Sequence, residues 1–190
     1  MCADFFQKFI SPEATVLDVA AGHCEFINAI KAAKRIAVDI NPDTAKFAES
    51  GVVVELTASC DMKNVASSSV DVVFMSNLLE HLTKEKIVKT VEECHRVLKT
   101  GGMILILQPN IRFAYRDYWM FFDHITPIDD RALVEVLQLH GFLIQEAIPR
   151  FLPYTAQGRS QRSLWCVRLY LRMPILWKFF GGQCFIRAQK

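Results

Sequence analysis

The chain contains no run of about 20 uncharged apolar residues, so no segment is expected to cross a bilayer as a helix. Its first ten residues carry an acid and lack a long apolar centre, so no secretory leader is expected there. Charge of one sign is missing too. The 22 Lys and Arg against 20 Asp and Glu leave +2 in 190 residues, too little to argue for nucleic acid or a membrane surface. None of the six cysteines (Cys2, Cys24, Cys60, Cys94, Cys166, Cys184) sits in a C-x-x-C pair, and several lie in apolar runs. Reduced, buried thiols in a cytoplasmic protein are expected, with no disulfide framework and no metal site. Glycine is sparse at 8 residues, and G-x-G-x-x-G is absent. Internal repeats and low-complexity tracts are absent as well.

What is present suits one globular domain over residues 1–190: 52% hydrophobic and 22% charged residues at a length that can bury a sizeable core. The organising stretch is Thr15-Val-Leu-Asp-Val-Ala-Ala-Gly-His-Cys-Glu25. It reads as a buried strand, a turn of small residues and a helix opening near Glu25. Such a corner lets a ligand approach the backbone while free helix N–H groups face it. Asp39 ends the next apolar strand, 21 residues after Asp18, close to the spacing of a ribose-binding acid.

Apolar runs predict further strands at 52–56, 70–75, 103–107, 142–148 and 183–188. Helices are predicted at 4–9, 25–33, 42–49, from a Thr83 cap to 99, and from an Asp129 or Asp130 cap to 140. Residues 108–128 read as an aromatic, loop-rich stretch, and 150–182 as a partly helical insertion. Alternating strands and helices give an α/β fold: a Rossmann-like, doubly wound, mostly parallel seven-stranded sheet with an antiparallel last strand, in three αβα layers. Ligand then sits at the strands' carboxyl ends, where Asp18, Asp39, Asp61, Asn77 and Asn110 fall.

At this point four segments resemble the class I S-adenosylmethionine-dependent methyltransferases. They are Val16-Leu-Asp-Val-Ala-Ala-Gly22, Val38-Asp-Ile-Asn-Pro42, Ser69 to Phe74 with Ser76-Asn-Leu-Leu-Glu-His-Leu82, and Arg96-Val-Leu-Lys-Thr-Gly-Gly102. They occur in family order across residues 15–108. Leu107 to Arg112, Tyr118 to Pro127 and Arg150 to Tyr154 resemble a bacterial subgroup whose acceptor is unassigned. The chain departs from the family's usual Gly-x-Gly-x-Gly: Ala20, Gly22 and Cys24 hold those positions. Ala20 is then expected at negative φ, with Gly22 in the position most demanding of glycine. The segment before the first strand is short and leaves little room for a lid.

The resemblance implies S-adenosyl-L-methionine as cofactor, S-adenosyl-L-homocysteine as product and these roles. Asp39 accepts both ribose hydroxyls, and Ile40, with Asn41 beside it, packs on the adenine. Asp61 and Met62, or Cys60 and Asp61 if the alignment shifts by one, meet the adenine edge. Asp18 braces the turn and faces the methionine amino group. Ala20, Ala21 and Gly22 offer backbone, and Ser76, Asn77 and Leu78 line the cofactor. The sulfonium already activates its methyl group, so the protein supplies alignment, water exclusion and, for a hydroxyl or amine acceptor, a proton acceptor. His81 and His124 are the candidates, with Asp123 orienting His124 if a turn brings them together. Asn110, Arg112, Tyr115 and Arg116 form one polar patch for a small-molecule or glycan acceptor, Arg150, Tyr154 and Arg159 a second, and Tyr118 is a further acceptor contact.

Residues 164–180 combine aromatics with three cations and read as a packed helix, an acceptor lid or a peripheral membrane contact. Two other classes stay open. A nicotinamide-dependent oxidoreductase is disfavoured by the missing glycine motif. A non-catalytic cofactor-binding or membrane-associated module would explain the altered glycine turn.

Overall fold

The computed structural model describes residues 5–154 and 164–190. Its strands are β1 (Thr15–Val19), β2 (Lys34–Asp39), β3 (Val52–Leu56), β4 (Val70–Ser76), β5 (Leu98–Pro109), β6 (Leu143–Ile148) and β7 (Gln183–Gln189). They form one seven-stranded sheet in the order β3-β2-β1-β4-β5-β7-β6. β3 through β5 pair in parallel, and β7 runs antiparallel between β5 and β6. The expected architecture is therefore the observed one.

Side chains alternate across each strand, so one sheet feeds two cores. Leu17 and Val19 of β1 enter a core of aliphatic residues with Val73 and Met75 of β4. The helices of this part of the chain are α1 (Glu25–Ala29), α2 (Lys84–Val97), α3 (Ile111–Tyr118) and α4 (Asp130–Leu139), and α2 and α4 close this core. Val16, Val72 and Phe74 point to the opposite core, which is rich in phenylalanine. There Phe26 stacks on Phe74 at 3.7 Å, and Phe5, Phe151 and Phe185 pack ring against ring.

The caps sit where the sequence places them. The Thr83 hydroxyl accepts from Lys86 N, and the Asp129 carboxylate accepts from Arg131 N and Ala132 N, each satisfying an orphan donor of the first turn. Three helices are smaller than expected. α1 stops at Ala29 because Ile30 turns extended (φ −98°, ψ 155°) and sends the chain into β2. Residues 42–46 form a 3₁₀ helix capped by Asn41, and the first helix is a 3₁₀ turn over Phe6–Phe9. β5 begins at Leu98, ahead of the Gly101-Gly102 turn. α3 was not expected, and Asn110 caps it through its side-chain oxygen.

The 150–182 segment carries α5 (Leu164–Leu171) and α6 (Pro174–Phe180), while Arg159 lies outside the described residues. Trp177 packs the pair onto Phe5 and Phe151. Trp165, Leu169, Ile175, Phe179 and Phe180 remain exposed. No helix among the described residues is long and apolar enough to cross a membrane.

Candidate active site

β1, β2 and β4 deliver their carboxyl ends to one edge, and the turn after β1 divides that edge in two. On one side lies a cavity of about 250 Å³ lined by Asp18, Ala20, Ala21, His23, Glu25, Phe26, Phe74, Ser76 and Leu107. On the other lies one of about 150 Å³ lined by Ala20, Asp39, Ile40, residues 57–60, Leu78, Leu82 and Lys86, with Val38 beneath. Ala20 is common to both.

The turn itself is held from β2. Gly22 N donates to Asp39 Oδ2 and Asn41 N donates to Asp39 Oδ1, each at 2.8 Å. Three residues of the turn are left-handed: Ala20 at φ 60°, Gly22 at 52° and Cys24 at 57°. The expectation of a negative φ at Ala20 is thus overturned. The backbone keeps a path suited to glycine while alanine and cysteine occupy two of its positions. A left-handed L-residue costs about 1–2 kcal/mol. Ala20→Gly is therefore expected to stabilise the fold by about 1 kcal/mol, read as a Tm rise of about 2–4 °C in a thermal melt.

Asp18 is buried on β1, and among the described residues no cation pairs with it. Burial pushes its carboxyl from the ordinary 3.8 up to about 8, against a hydrogen bond from the Ile27 backbone, with Asp39 adding to the rise. The site therefore holds a proton that an arriving ammonium group would displace.

Ile40 is exposed at the mouth of the smaller cavity, an open apolar face. Cys60 lines that cavity, whereas Asp61 and Met62 do not. Asp61 turns to Lys63 at 3.0 Å, and Met62 is buried with its N–H donated to Glu93. Residues 57–60, rather than Asp61 and Met62, line this cavity. Ser76 lines the larger cavity and Leu78 the smaller; Asn77, left-handed at φ 49°, accepts at Oδ1 from Gln183 Nε2.

Beyond β4 and β5, two acid–histidine pairs converge. His81 Nδ1 lies 3.2 Å from Asp123 Oδ2 and also from the Asp123 carbonyl oxygen. The turn at 121–124 exists, with His124 N donating to Phe121 O, but it aims Asp123 at His81 and not at His124. The expected Asp123–His124 orientation is corrected accordingly. His124 is buried, its ring 4.8 Å from that of His81 and stacked on Phe121. Burial holds its imidazole below the usual range, hence neutral near pH 7. Glu80 sits beneath both rings, buried, its Oε2 accepting from Gln108 Nε2 at 2.7 Å. Burial raises its carboxyl. The pairing of Glu80-His81 with Asp123-His124 was the sequence signal for this cluster, and only its histidines and Asp123 were read as functional.

The two polar patches do not form. Asn110 is fully buried, donating to Asp130 and to the Pro149 carbonyl. Arg112 bridges to Asp130 at 2.8 Å. Tyr118 is buried, its hydroxyl donating to Thr126 O. Arg150 donates to the Gly181 and Phe179 carbonyls. These four are tertiary struts rather than open acceptor contacts. Tyr115 and Arg116 lie on the surface of α3, their side chains 3.3 Å apart. Two of the candidates lie by the histidine cluster: Tyr118 packs its ring 4.9 Å from that of His124, and Tyr154 stands 6.1 Å from Phe121, its phenol pushed by burial up to about 12.

Residues 17–106 match a family model described as a methyltransferase domain. A protein from Mycolicibacterium smegmatis, described as a probable S-adenosylmethionine-dependent methyltransferase, is 35% identical over 86 residues. That match covers 44% of this chain and 33% of the relative, so it spans about a third of the relative's length. Among solved structures, an S-adenosylmethionine-dependent methyltransferase from Archaeoglobus fulgidus superposes with TM-score 0.69 at 21% identity, covering 97% of this chain and 90% of that one. One from Thermotoga maritima, described as a possible histamine N-methyltransferase, gives TM-score 0.68 at 16% identity over 99% and 87%. At such identities the superpositions speak for the fold alone. The likeness to S-adenosylmethionine-dependent methyltransferases is thus carried by residues 17–106, somewhat under half of the chain, and by a fold shared along nearly all of it.

Proposed function

We propose that this chain transfers the methyl group of S-adenosylmethionine to a small-molecule or glycan acceptor. One observation carries the reading: two cavities meet over Ala20, with Asp39 at the mouth of one and buried Asp18 in the other. The ribose and adenine fit the side of Asp39, Ile40 and residues 57–60. The methionine end fits the side of Asp18, Ser76 and Phe74, where its ammonium would meet the buried carboxylate.

The cofactor supplies a methyl group activated by its sulfonium. The chain's residues do the remaining work. Asp39 grips the sugar through charge-assisted hydrogen bonds. Asp18 fixes the methionine tail, and Phe26 and Phe74 keep water from the sulfur. His81 and His124, with Asp123 and Glu80, assist loss of the acceptor's proton. Exposed Trp119 and Phe122, with Phe121 and Tyr154, offer aromatic faces suited to an acceptor with an apolar side, as a sugar ring has. The exposed side chains of α5 and α6 support contact with a membrane surface, in keeping with an acceptor carried on lipid.

Isothermal titration with S-adenosylmethionine, S-adenosylhomocysteine and NAD tests the cofactor. Both sulfur ligands should bind and NAD should not. NAD binding in their place would overturn the reading in favour of an oxidoreductase. Transfer of tritiated methyl into cell-extract acceptors tests catalysis, and tight binding with no transfer would favour a non-catalytic module.

Asp18 gives a pH prediction. Its carboxyl titrates near 3.8 when unfolded and near 8 when folded, so the folded state holds an extra proton between those values. Stability is therefore full below the unfolded value and falls as pH rises toward about 8. Asp18→Asn should flatten that slope in melts taken from pH 5 to 9. In the wild type, titrations at pH 7 in buffers of different ionisation enthalpy should show a proton released on cofactor binding. The Asn variant should release none and bind more weakly.

A further inference from the structure

We propose that Glu80, His81 and His124 hold a divalent first-row transition cation that engages the methyl acceptor. The role assigned to the cation rests on the methyl-transfer reading; its binding does not. The three residues each offer one ligand atom, and these atoms lie within 4.8 Å of one another. Glu80 Oε1 stands 3.9 Å from His81 Nε2 and 4.0 Å from His124 Nε2. Those gaps are too long for hydrogen bonds and too short to admit a separate side chain. A cation about 2.0–2.2 Å from each ligand would draw neighbouring ligands to about 3.0–3.5 Å, so modest closure suffices.

The support around the ligands is that of a built site. Asp123 lies at His81 Nδ1, which fixes the proton there and leaves the Nε2 lone pair facing Glu80. Gln108 holds Glu80 Oε2, fixing the carboxylate's orientation. Two of the buried side-chain polar atoms without a hydrogen-bond partner belong to this cluster, His124 Nδ1 and Gln108 Oε1. His124 and Glu80 are almost wholly buried, with side chains 2% and 1% exposed, whereas that of His81 is 31% exposed. The rim histidine can therefore close on the ion and still leave coordination positions open to a ligand from solvent.

Two imidazoles and one carboxylate favour zinc, cobalt, manganese or iron over magnesium. The open positions suit an acceptor with adjacent oxygens, a vicinal diol or a catechol. The cation lowers the pKa of the bound hydroxyl, whose proton passes to water. That oxygen then forms the bond to the methyl carbon as the carbon–sulfur bond breaks and its electron pair returns to sulfur. The histidines thus assist proton loss through the ion.

The test is cobalt titration of the chelator-treated full chain, followed by visible absorption, with zinc and magnesium titrated calorimetrically. We expect one cobalt per chain, displaced by zinc and not by magnesium. His81→Ala, at the rim, should weaken cobalt at least tenfold while still binding S-adenosylhomocysteine, which certifies its fold. Asp123→Asn should weaken cobalt about tenfold. His140→Gln, on the far end of α4, should leave it unchanged. No saturable one-to-one site, or equal affinity in wild type and His81→Ala, would overturn the proposal. Cobalt without S-adenosylhomocysteine binding would uphold the site and remove the methyl-transfer reading; the converse would do the reverse.

Discussion

Asp39→Ala is expected to weaken S-adenosylhomocysteine binding about 100-fold or more. In the proposed binding mode two ribose hydroxyls donate to this carboxylate, contacts worth about 1.5–3 kcal/mol each, and the substitution removes both. The substitution also frees Gly22 N and Asn41 N, which Asp39 now holds at 2.8 Å each. The left-handed turn then loses its tie to β2, and Asn41 loses the anchor that sets it as a helix cap. Asp39→Asn keeps one acceptor oxygen and the side chain's shape, so an intermediate loss near tenfold is expected. Calorimetric titration reads both, and thermal melts confirm that each variant is folded. If Asp39→Ala binds within threefold of wild type, the ribose does not sit where β2 ends.

Among the described glycines, Gly181→Ala should be the most damaging added methyl group. A Cβ at Gly181 would lie 2.6 Å from Arg150 C, 2.7 Å from Phe151 N and 2.7 Å from Trp177 O. All three are backbone atoms, so no side-chain rotation relieves the overlap. The φ here is an ordinary −67°, so space and not conformation demands glycine. The cost is expected near 3 kcal/mol, a Tm fall of about 6–12 °C. Gly182→Ala is the control, since its Cβ would meet the Tyr154 Cβ at 3.0 Å, and should cost less. Should the Gly181 variant melt with the wild type, the seam between 150–152 and 181–183 is looser than its hydrogen bonds imply.

That seam joins residues about 30 apart in the chain, which no local pattern in the sequence links. The strands were legible because buried parallel strands are short, continuous apolar runs. The corner at Ala20–Gly22 and the acid at Asp39 were legible because their geometry is local: one strand, one turn, one spacing. Asn110, Arg112, Tyr118 and Arg150 were read as an acceptor surface because polar side chains past a strand usually are exposed. Their partners stand 8 to 39 residues away, and no local pattern announces such pairings. α3 was missed for the same reason, since its cap residue was read as a ligand contact. Glu80 was visible beside His81, but its place beneath two imidazoles, with its carboxylate held by Gln108 of β5, is not announced by any local pattern. The left-handed φ at Ala20 and Cys24 runs against residue preference, and only the packing of the corner enforces it.

The place of β7 has a consequence for assembly. β6 pairs with β7 and with no other strand, while β3, β2, β1, β4 and β5 are joined without either. The first five strands in chain order complete their half of the sheet among themselves; the outer half waits for the strand that comes last in chain order. Protection from amide exchange should then fall into two tiers, with β6 and β7 opening together before β1 or β4 does. Damage to the keystone strand would peel away the outer ribbon and leave the edge where β1, β2 and β4 end the last part to dissolve.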